Sequence, residues 1–427
     1  MKVVIIAGGK GTRIASVNSE IPKAMIPVAG KPVLEYQIEL AKRYGFTDII
    51  LVVGYLGEII ESYFGNGEKW NVSISYYKEE FPLGTAGAFA TLRLKNSLQE
   101  DFFVFYGDTV MDVALDQMLD FHKKNESEGT LFLHPNDHPY DSDLVKTDND
   151  GKIIDFFSKP HPESFVCKNL VNAALYILSP KIITQIPENK KNDFGKDIFP
   201  ACIKNDIKLF GYISSEYIKD MGTPDRYEKV NQDVLSGKVA KRNNQYSKKA
   251  IFLDRDGVIS KEVDLLSNPT QLELITGAAE AIKLINKSDY LAIIITNQPV
   301  IARNLCSVEE LNIIHDTLET LLGKEHAYVD AIYYCPHHPD SGYPEERKEY
   351  KIECNCRKPK SGMFFKASKE WNINLSDSYM VGDRESDIEA GCGAQLRGNF
   401  LIQQNTNNAL LEVVKRILCY DNISNSF

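Results

Sequence analysis

Ile251-Phe252-Leu253-Asp254-Arg255-Asp256-Gly257-Val258 reads as a short apolar strand that delivers two carboxylates, one residue apart, onto a glycine turn. It stands in the middle of a 427-residue chain. A second strand running into glycines, Val3-Val4-Ile5-Ile6-Ala7-Gly8-Gly9, opens the chain, so the sequence divides into two parts with a strand-end site in each.

The length exceeds what one hydrophobic core usually supports, and two domains are expected, 1–235 and 250–427. The stretch 236–249 between them is polar and basic without apolar periodicity, which predicts a solvated linker. With 43% hydrophobic and 25% charged residues, the chain can pack cores and is neither disordered nor fibrous. A net charge of -10 argues against broad nucleic-acid binding. No signal-peptide pattern and no run of about 18 apolar residues is found, so a cytoplasmic protein without a membrane partner is expected. A homo-oligomer is compatible with this composition. Eight cysteines in so long a chain do not make a disulfide framework, and three of them cluster near His337.

In the first part, strand-like runs alternate with amphipathic helical ones, the pattern of βαβ units and a mostly parallel sheet. Ligands of such sheets bind at the carboxyl ends of strands. Gly8-Gly9-Lys10-Gly11-Thr12-Arg13 lies at one such end, either as a phosphate-cradling loop or as a tight strand-to-helix turn. Lys23 is bracketed by prolines, which fix the backbone around it. Leu83-Gly84-Thr85-Ala86-Gly87 is a second small-residue turn, suited to close approach of a base or ribose. Asp108 follows an apolar strand and Asp220 precedes Met221-Gly222-Thr223-Pro224; together they could share one Mg²⁺, although each alone could be a turn or cap residue.

The strings GGKGTR, PKAMIPVAGKP, LGTAGA, YGDT and DMGTP, in this order, closely resemble the sugar-1-phosphate nucleotidyltransferases. The resemblance implies a Rossmann-like, GT-A-like mixed sheet. It also implies attack of a sugar-1-phosphate oxygen on the α-phosphorus of a nucleoside triphosphate, with release of pyrophosphate. Carried over by motif, Gly8, Gly9, Gly11, Thr12 and Arg13 would cradle the triphosphate and Lys23 would bind its phosphates. Gly84 and Thr85 would lie near the nucleoside, and Asp108 and Asp220 would hold Mg²⁺. Lys159, in Ser158-Lys159-Pro160, would contact the sugar phosphate, with Asn172 and Asp197 as plausible additions. The chain departs from the family pattern at Ser158, where glutamate is usual.

In the second part, polar groups fall at three strand ends: Asp254 and Asp256, then Thr296-Asn297-Gln298, then Gly382-Asp383 with Asp387 four residues on. Cys356-Arg357-Lys358-Pro359 lies between the second and third strands. A carboxylate nucleophile, a carboxylate acid, a hydroxyl, a lysine and metal-binding aspartates make a complete phosphoryl-transfer inventory. Cys335, His337, Cys354 and Cys356 form two close pairs, three thiolates and one imidazole, the closed tetrahedral set of a structural zinc site; His338 is left as a spare that faces solvent or substrate.

This order resembles the haloacid dehalogenase phosphatases and, through the cysteine loop, the D-glycero-D-manno-heptose-1,7-bisphosphate 7-phosphatases, with a related zinc loop in histidinol phosphatases. A three-layer parallel sheet is implied. Asp254 would be the nucleophile and Asp256 the general acid and base. Thr296 and Lys358 would bind the phosphoryl group, Asn297 and Arg357 the sugar phosphate. Asp254, Asp383 and the Asp256 carbonyl would ligate Mg²⁺.

The first part resembles, within its family, the D-glycero-α-D-manno-heptose-1-phosphate guanylyltransferases, and the two resemblances together imply a bifunctional enzyme of nucleotide-activated heptose synthesis, taking heptose bisphosphate, heptose 1-phosphate and GTP. Another sugar, or ATP, UTP or CTP as donor, is one alternative. A histidinol-phosphatase-like domain behind a non-catalytic sugar-nucleotide-binding domain is another.

Overall fold

A computed structural model of the chain describes residues 1–9, 11, 14, 20–94, 97–188, 190–340, 342 and 345–424. The chain divides into two compact units: Met1–His134, Ser142–Lys159 and Val171–Gln245 form one, and Pro135–Asp141, Pro160–Leu170 and Tyr246–Phe427 the other.

The first unit is built on a nine-stranded mixed sheet of β1 (Val3–Ile6), β2 (Asp48–Val53), β3 (Ser73–Lys78), β4 (Phe102–Tyr106), β5 (Gly129–His134), β6 (Leu144–Thr147), β7 (Ile153–Phe157), β8 (Val171–Leu178) and β9 (Leu209–Ile213). The order is β7-β6-β8-β4-β1-β2-β3, with β5 pairing β8 and β9. β1 and β4 are almost continuously apolar and buried, as central strands of a sheet covered on both faces must be, with β1 parallel to both neighbours and β4 antiparallel to β8. Ile6 lies between Val52 and Tyr106, so the glycines after β1 and the Gly107-Asp108 turn after β4 leave the sheet at one edge. Gln37, buried in the helix Val33–Arg43, pins that turn by donating to the Tyr106 and Thr109 carbonyls at 2.8 and 2.6 Å. A two-stranded ribbon then pairs Thr109–Asp112 with Tyr217–Asp220 and sets Asp220 opposite Thr109.

The second unit holds a five-stranded, all-parallel sheet of β10 (Lys249–Leu253), β11 (Tyr290–Asn297), β12 (Ala331–Cys335), β13 (Tyr379–Gly382) and β14 (Gly398–Leu401), ordered β12-β11-β10-β13-β14. Alternate residues feed two cores: Ile251, Leu253 and Ile294 pack on one face, Ala250, Phe252 and Ile293 on the other. Leu253 sits between Ile294 and Val381, so the residues after β10, β11 and β13 emerge side by side.

Two short stretches expected within the first domain, 135–141 and 160–170, pack with the second unit. There the Asn169 N–H donates to Glu319 at 2.6 Å and the Tyr140 hydroxyl to the Thr320 carbonyl at 3.0 Å. The stretch 236–249 also differs from the solvated linker that its polarity suggests. Lys238–Lys241 is helical, and Lys238, Arg242 and Asn243 are buried. Asn243 donates to Asp112 at 2.7 Å, and long basic side chains can bury their stems while keeping their charged ends solvated or paired. Among the described residues no helix is long and apolar enough to cross a membrane.

Two candidate active sites and a candidate zinc centre

In the first unit, Lys23 opens a single helical turn, Lys23–Met25, and its ammonium pairs with the Asp108 carboxylate. Gly11 lies against its stem: a Cβ on Gly11 would stand 3.1 Å from Lys23 Cβ. Asp220 receives the Gly222 N–H at 2.7 Å and the Arg226 guanidinium at 2.9 Å. Burial opposes its ionisation, but Arg226, the Gly222 N–H and Lys23 outweigh that and hold the carboxyl below the usual range. The Met221 N–H donates to the Asp108 carbonyl at 3.0 Å, so both aspartates meet at one end of the ribbon. The two carboxylates are oxygen donors of the kind that Mg²⁺ takes, and Lys23 and Arg226 balance their charge.

Gly8 and Gly9 follow β1, and Gly9 faces open space. Thr12 and Arg13, with Lys10, lie outside the described residues. Gly84 has φ +79°, and a Cβ there would meet the Asn192 carbonyl oxygen at 2.4 Å, so only glycine fits this turn. The Thr85 hydroxyl donates to Asp193 at 2.9 Å and accepts from the Phe194 N–H at 3.0 Å. It braces the turn from within. The Lys159 N–H donates to Asp143 at 3.1 Å; Asn172 donates to the Tyr176 hydroxyl at 3.0 Å. Asp197 turns back to accept the Asp193 N–H at 2.7 Å.

In the second unit, Lys358 is 2% exposed, with Nζ 3.0 Å from Asp254, 2.6 Å from Asp387 and 2.9 Å from the Ile295 carbonyl. Asp254, Asp383 and Asp387 offer carboxylate oxygens all within 4.8 Å of one another, and Asp383 Oδ1 is buried with no hydrogen-bond partner. An orphaned acceptor in a carboxylate cluster is what a Mg²⁺ site requires. Burial pushes the Asp254 carboxyl up, against the pull of Lys358 and with Asp387 and Asp256 adding to the rise. The Asp256 side chain is held elsewhere: Arg255 grips it with Nε at 2.9 Å and Nη2 at 2.7 Å, Gln298 donates at 2.9 Å and Ser260 at 3.1 Å. Despite burial these donors keep its carboxyl below the usual range. Gln298 also donates to the Thr296 hydroxyl at 2.9 Å.

Asn297 differs from the sugar-phosphate contact expected of it. Its amide donates to the Lys358 carbonyl and accepts from the Lys358 N–H, both at 3.0 Å, so both ends are engaged in aiming the lysine. Arg357 donates to the His337 carbonyl at 3.2 Å.

The four expected zinc ligands converge. Cys356 Sγ lies 3.2 Å from both Cys335 and Cys354, Cys335 lies 3.5 Å from Cys354, and His337 Nδ1 stands 3.3 and 3.7 Å from Cys356 and Cys335. A tetrahedron with zinc–sulfur bonds of about 2.3 Å has edges of roughly 3.8 Å, so this donor set fits zinc after a small expansion. His338 is outside the cluster and mostly buried rather than facing solvent; its Nδ1 accepts the Asp340 N–H at 3.2 Å.

Sequence reasoning gave no role to Arg255, Gln298 or Ser260 and left Asp387 out of the metal set. Arg255 stands inside the quoted string, yet a charged residue there carries no sign that it is fully buried.

The family model described as nucleotidyl transferase matches residues 2–237, and one described as HAD-hydrolase-like matches residues 355–415. The chain is 32% identical over 237 residues to mannose-1-phosphate guanylyltransferase of Mycobacterium tuberculosis, covering 55% of this chain and 64% of that protein. It is 32% identical over 251 residues to UTP--glucose-1-phosphate uridylyltransferase of Synechocystis, with 56% and 64% covered. It thus spans a little under two thirds of these relatives. Over 155 residues it is 38% identical to D-glycero-beta-D-manno-heptose-1,7-bisphosphate 7-phosphatase of Haemophilus influenzae, covering 36% of this chain and 82% of that protein. Residues 2–237 make the chain a member of the nucleotidyl transferase family, fused to a haloacid-dehalogenase-like domain related to the heptose-bisphosphate 7-phosphatases.

Proposed function

We propose that the chain is a bifunctional enzyme that removes the 7-phosphate of D-glycero-D-manno-heptose 1,7-bisphosphate and then joins the heptose 1-phosphate to GMP from GTP, giving GDP-heptose and pyrophosphate. The observation that carries this reading is the set Asp254, Asp256, Thr296 and Asp383 at adjacent strand ends, with the Lys358 ammonium reaching Asp254 from the segment after Cys356, on one chain with the Lys23–Asp108–Asp220 constellation. The phosphatase relative supports a heptose bisphosphate substrate, and the mannose-1-phosphate guanylyltransferase relative supports a manno-configured acceptor and GTP.

In the hydrolase step, an Asp254 carboxylate oxygen attacks the 7-phosphorus and the bond to the sugar oxygen breaks. Asp256 gives that oxygen a proton, then takes one from the water that cleaves the aspartyl phosphate. Its four donors suit the basic half of this cycle; the acidic half needs a proton taken up when the phosphate dianion arrives. Lys358 and Thr296 hold the phosphoryl oxygens. In the transferase step, a phosphate oxygen of the sugar attacks the α-phosphorus in line while Lys23 and Arg13 hold the triphosphate, work that is mostly positioning and charge neutralisation. Mg²⁺, held by Asp254 and Asp383 in one site and by Asp108 and Asp220 in the other, would neutralise the phosphate oxygens.

Glu79 favours guanine. Its Oε1 accepts the Leu83 N–H at 3.3 Å, and its Oε2 would lie 2.7 Å from a Cβ on Gly8, so the carboxylate stands between the two glycine turns. Guanine offers two adjacent donors that a carboxylate can accept; uracil offers one N–H between two carbonyls that it would repel. The uridylyltransferase relative keeps UTP as the second reading.

The test is incubation with each anomer of the bisphosphate, Mg²⁺ and each nucleoside triphosphate, followed by mass analysis. GDP-heptose is expected as the main product with GTP. Phosphate release without any sugar nucleotide would refute the transferase half, and a UDP product would select the second reading.

A further inference from the structure

Asp143 enters the β6 strand and joins three segments of the transferase site. Its carbonyl accepts the Asn172 N–H at 3.0 Å and its Oδ1 accepts the Lys159 N–H at 3.1 Å. Its Oδ2 faces Gly195, in the helical turn Phe194–Ile198, where a Cβ would stand only 2.8 Å from it. A side chain on that turn would therefore displace the carboxylate. Ser158, the neighbour of Lys159, turns its hydroxyl toward the Gly195 carbonyl at 3.4 Å and presents no charge. Asp143 remains partly open to solvent, and its charge is felt by Tyr176, whose hydroxyl accepts the Asn172 amide at 3.0 Å.

We infer that Asp143 is a specificity-determining residue of the transferase site, accepting a hydrogen bond from a ring hydroxyl of the incoming sugar 1-phosphate. This rests on the transferase reading above. A carboxylate accepts and never donates, so it selects hydroxyl groups and repels phosphate. Beside Lys159 it gives the acceptor a direction: the phosphate goes to the lysine, the ring to the aspartate. A sugar lacking that hydroxyl leaves a partly buried carboxylate unpaired, which is how a polar site rejects deoxy analogues.

Asp143→Asn separates this role from a structural one. The asparagine oxygen still accepts the Lys159 N–H, while the second terminal atom, the one beside Gly195, changes from acceptor to donor. Pyrophosphate release by the full chain is measured with GTP and heptose 1-phosphate, then with mannose 1-phosphate and its monodeoxy analogues as probes of single hydroxyls. The variant is expected to raise KM for the sugar phosphate about ten- to hundredfold and to leave KM for GTP within about twofold, which also shows that it is folded. Wild type should discriminate against one deoxy analogue, and the variant should lose that discrimination. An unchanged sugar KM with discrimination intact overturns the inference while leaving the transferase reading standing. No release by wild type with any sugar 1-phosphate overturns both.

Discussion

Lys23 and Lys358 both pair with aspartates at strand ends, in opposite surroundings. Lys358 is 2% exposed between Asp254 and Asp387, which are 10% and 1% exposed; Lys23 is 12% exposed and its partner Asp108 32%. The constellation around Lys358 is thus paired and desolvated within the protein itself, the preorganisation that a charged reacting group needs. The transferase constellation is the more exposed of the two, as suits a site that takes nucleotide and sugar phosphate, which bring charge of their own. Closure is costly, since a buried charge needs every partner in place. The second unit meets that need with Arg255 on Asp256 and Asn297 on Lys358, and the Cys335–His337–Cys354–Cys356 cluster stands directly before Arg357.

That contrast breaks most visibly at the cysteine cluster. About one zinc per chain is expected by metal analysis. Cys356→Ser should lower phosphatase turnover by at least about tenfold, because it frees the segment that aims Lys358, and leave pyrophosphate release within about twofold. A zinc-free preparation with full phosphatase activity and stability would show that the enclosed site does not depend on the clip. Equal loss of both activities would show that the two sites are not separate.

A smaller effect sharpens the same contrast through pH. Burial pushes the Glu319 carboxyl up to about 7, with Lys168 and the Asn169 N–H pulling it down. Its folded value lies above its unfolded one, so the folded state binds the proton more tightly. Its contribution to stability is complete below about pH 4.5 and is lost as pH rises through 7. Urea unfolding of wild type should lose about 1–3 kcal/mol between pH 5 and pH 8 at this group. Glu319→Gln should flatten that slope; an identical slope in the variant would show that this carboxyl is not the titrating group.

Legibility in the sequence followed the same division. The phosphatase site was readable because its groups fall at successive strand ends in chain order, and a thiolate set declares itself by local spacing. The transferase loops were readable as motifs, but Glu79 and Asp143 were not, since each gains meaning only when the Gly8 turn or the Lys159 backbone is brought beside it. Arg255 and Asn297 show another limit. Sequence identifies a polar group near a site, whereas burial and pairing decide whether it faces substrate or supports a neighbour. The stretch 236–249 failed for that reason too: its charges looked solvated, and Lys238 and Asn243 are buried.

On this reading one chain carries two separate phosphoryl-transfer sites that act in series. It is tested most directly by assaying Asp254→Asn and Asp108→Ala side by side, each with heptose 1,7-bisphosphate for phosphate release and with heptose 1-phosphate plus GTP for pyrophosphate release. Asp254→Asn should lose phosphate release by at least about a thousandfold and keep pyrophosphate release, and Asp108→Ala should do the reverse. Loss of both activities in either folded variant would contradict the claim.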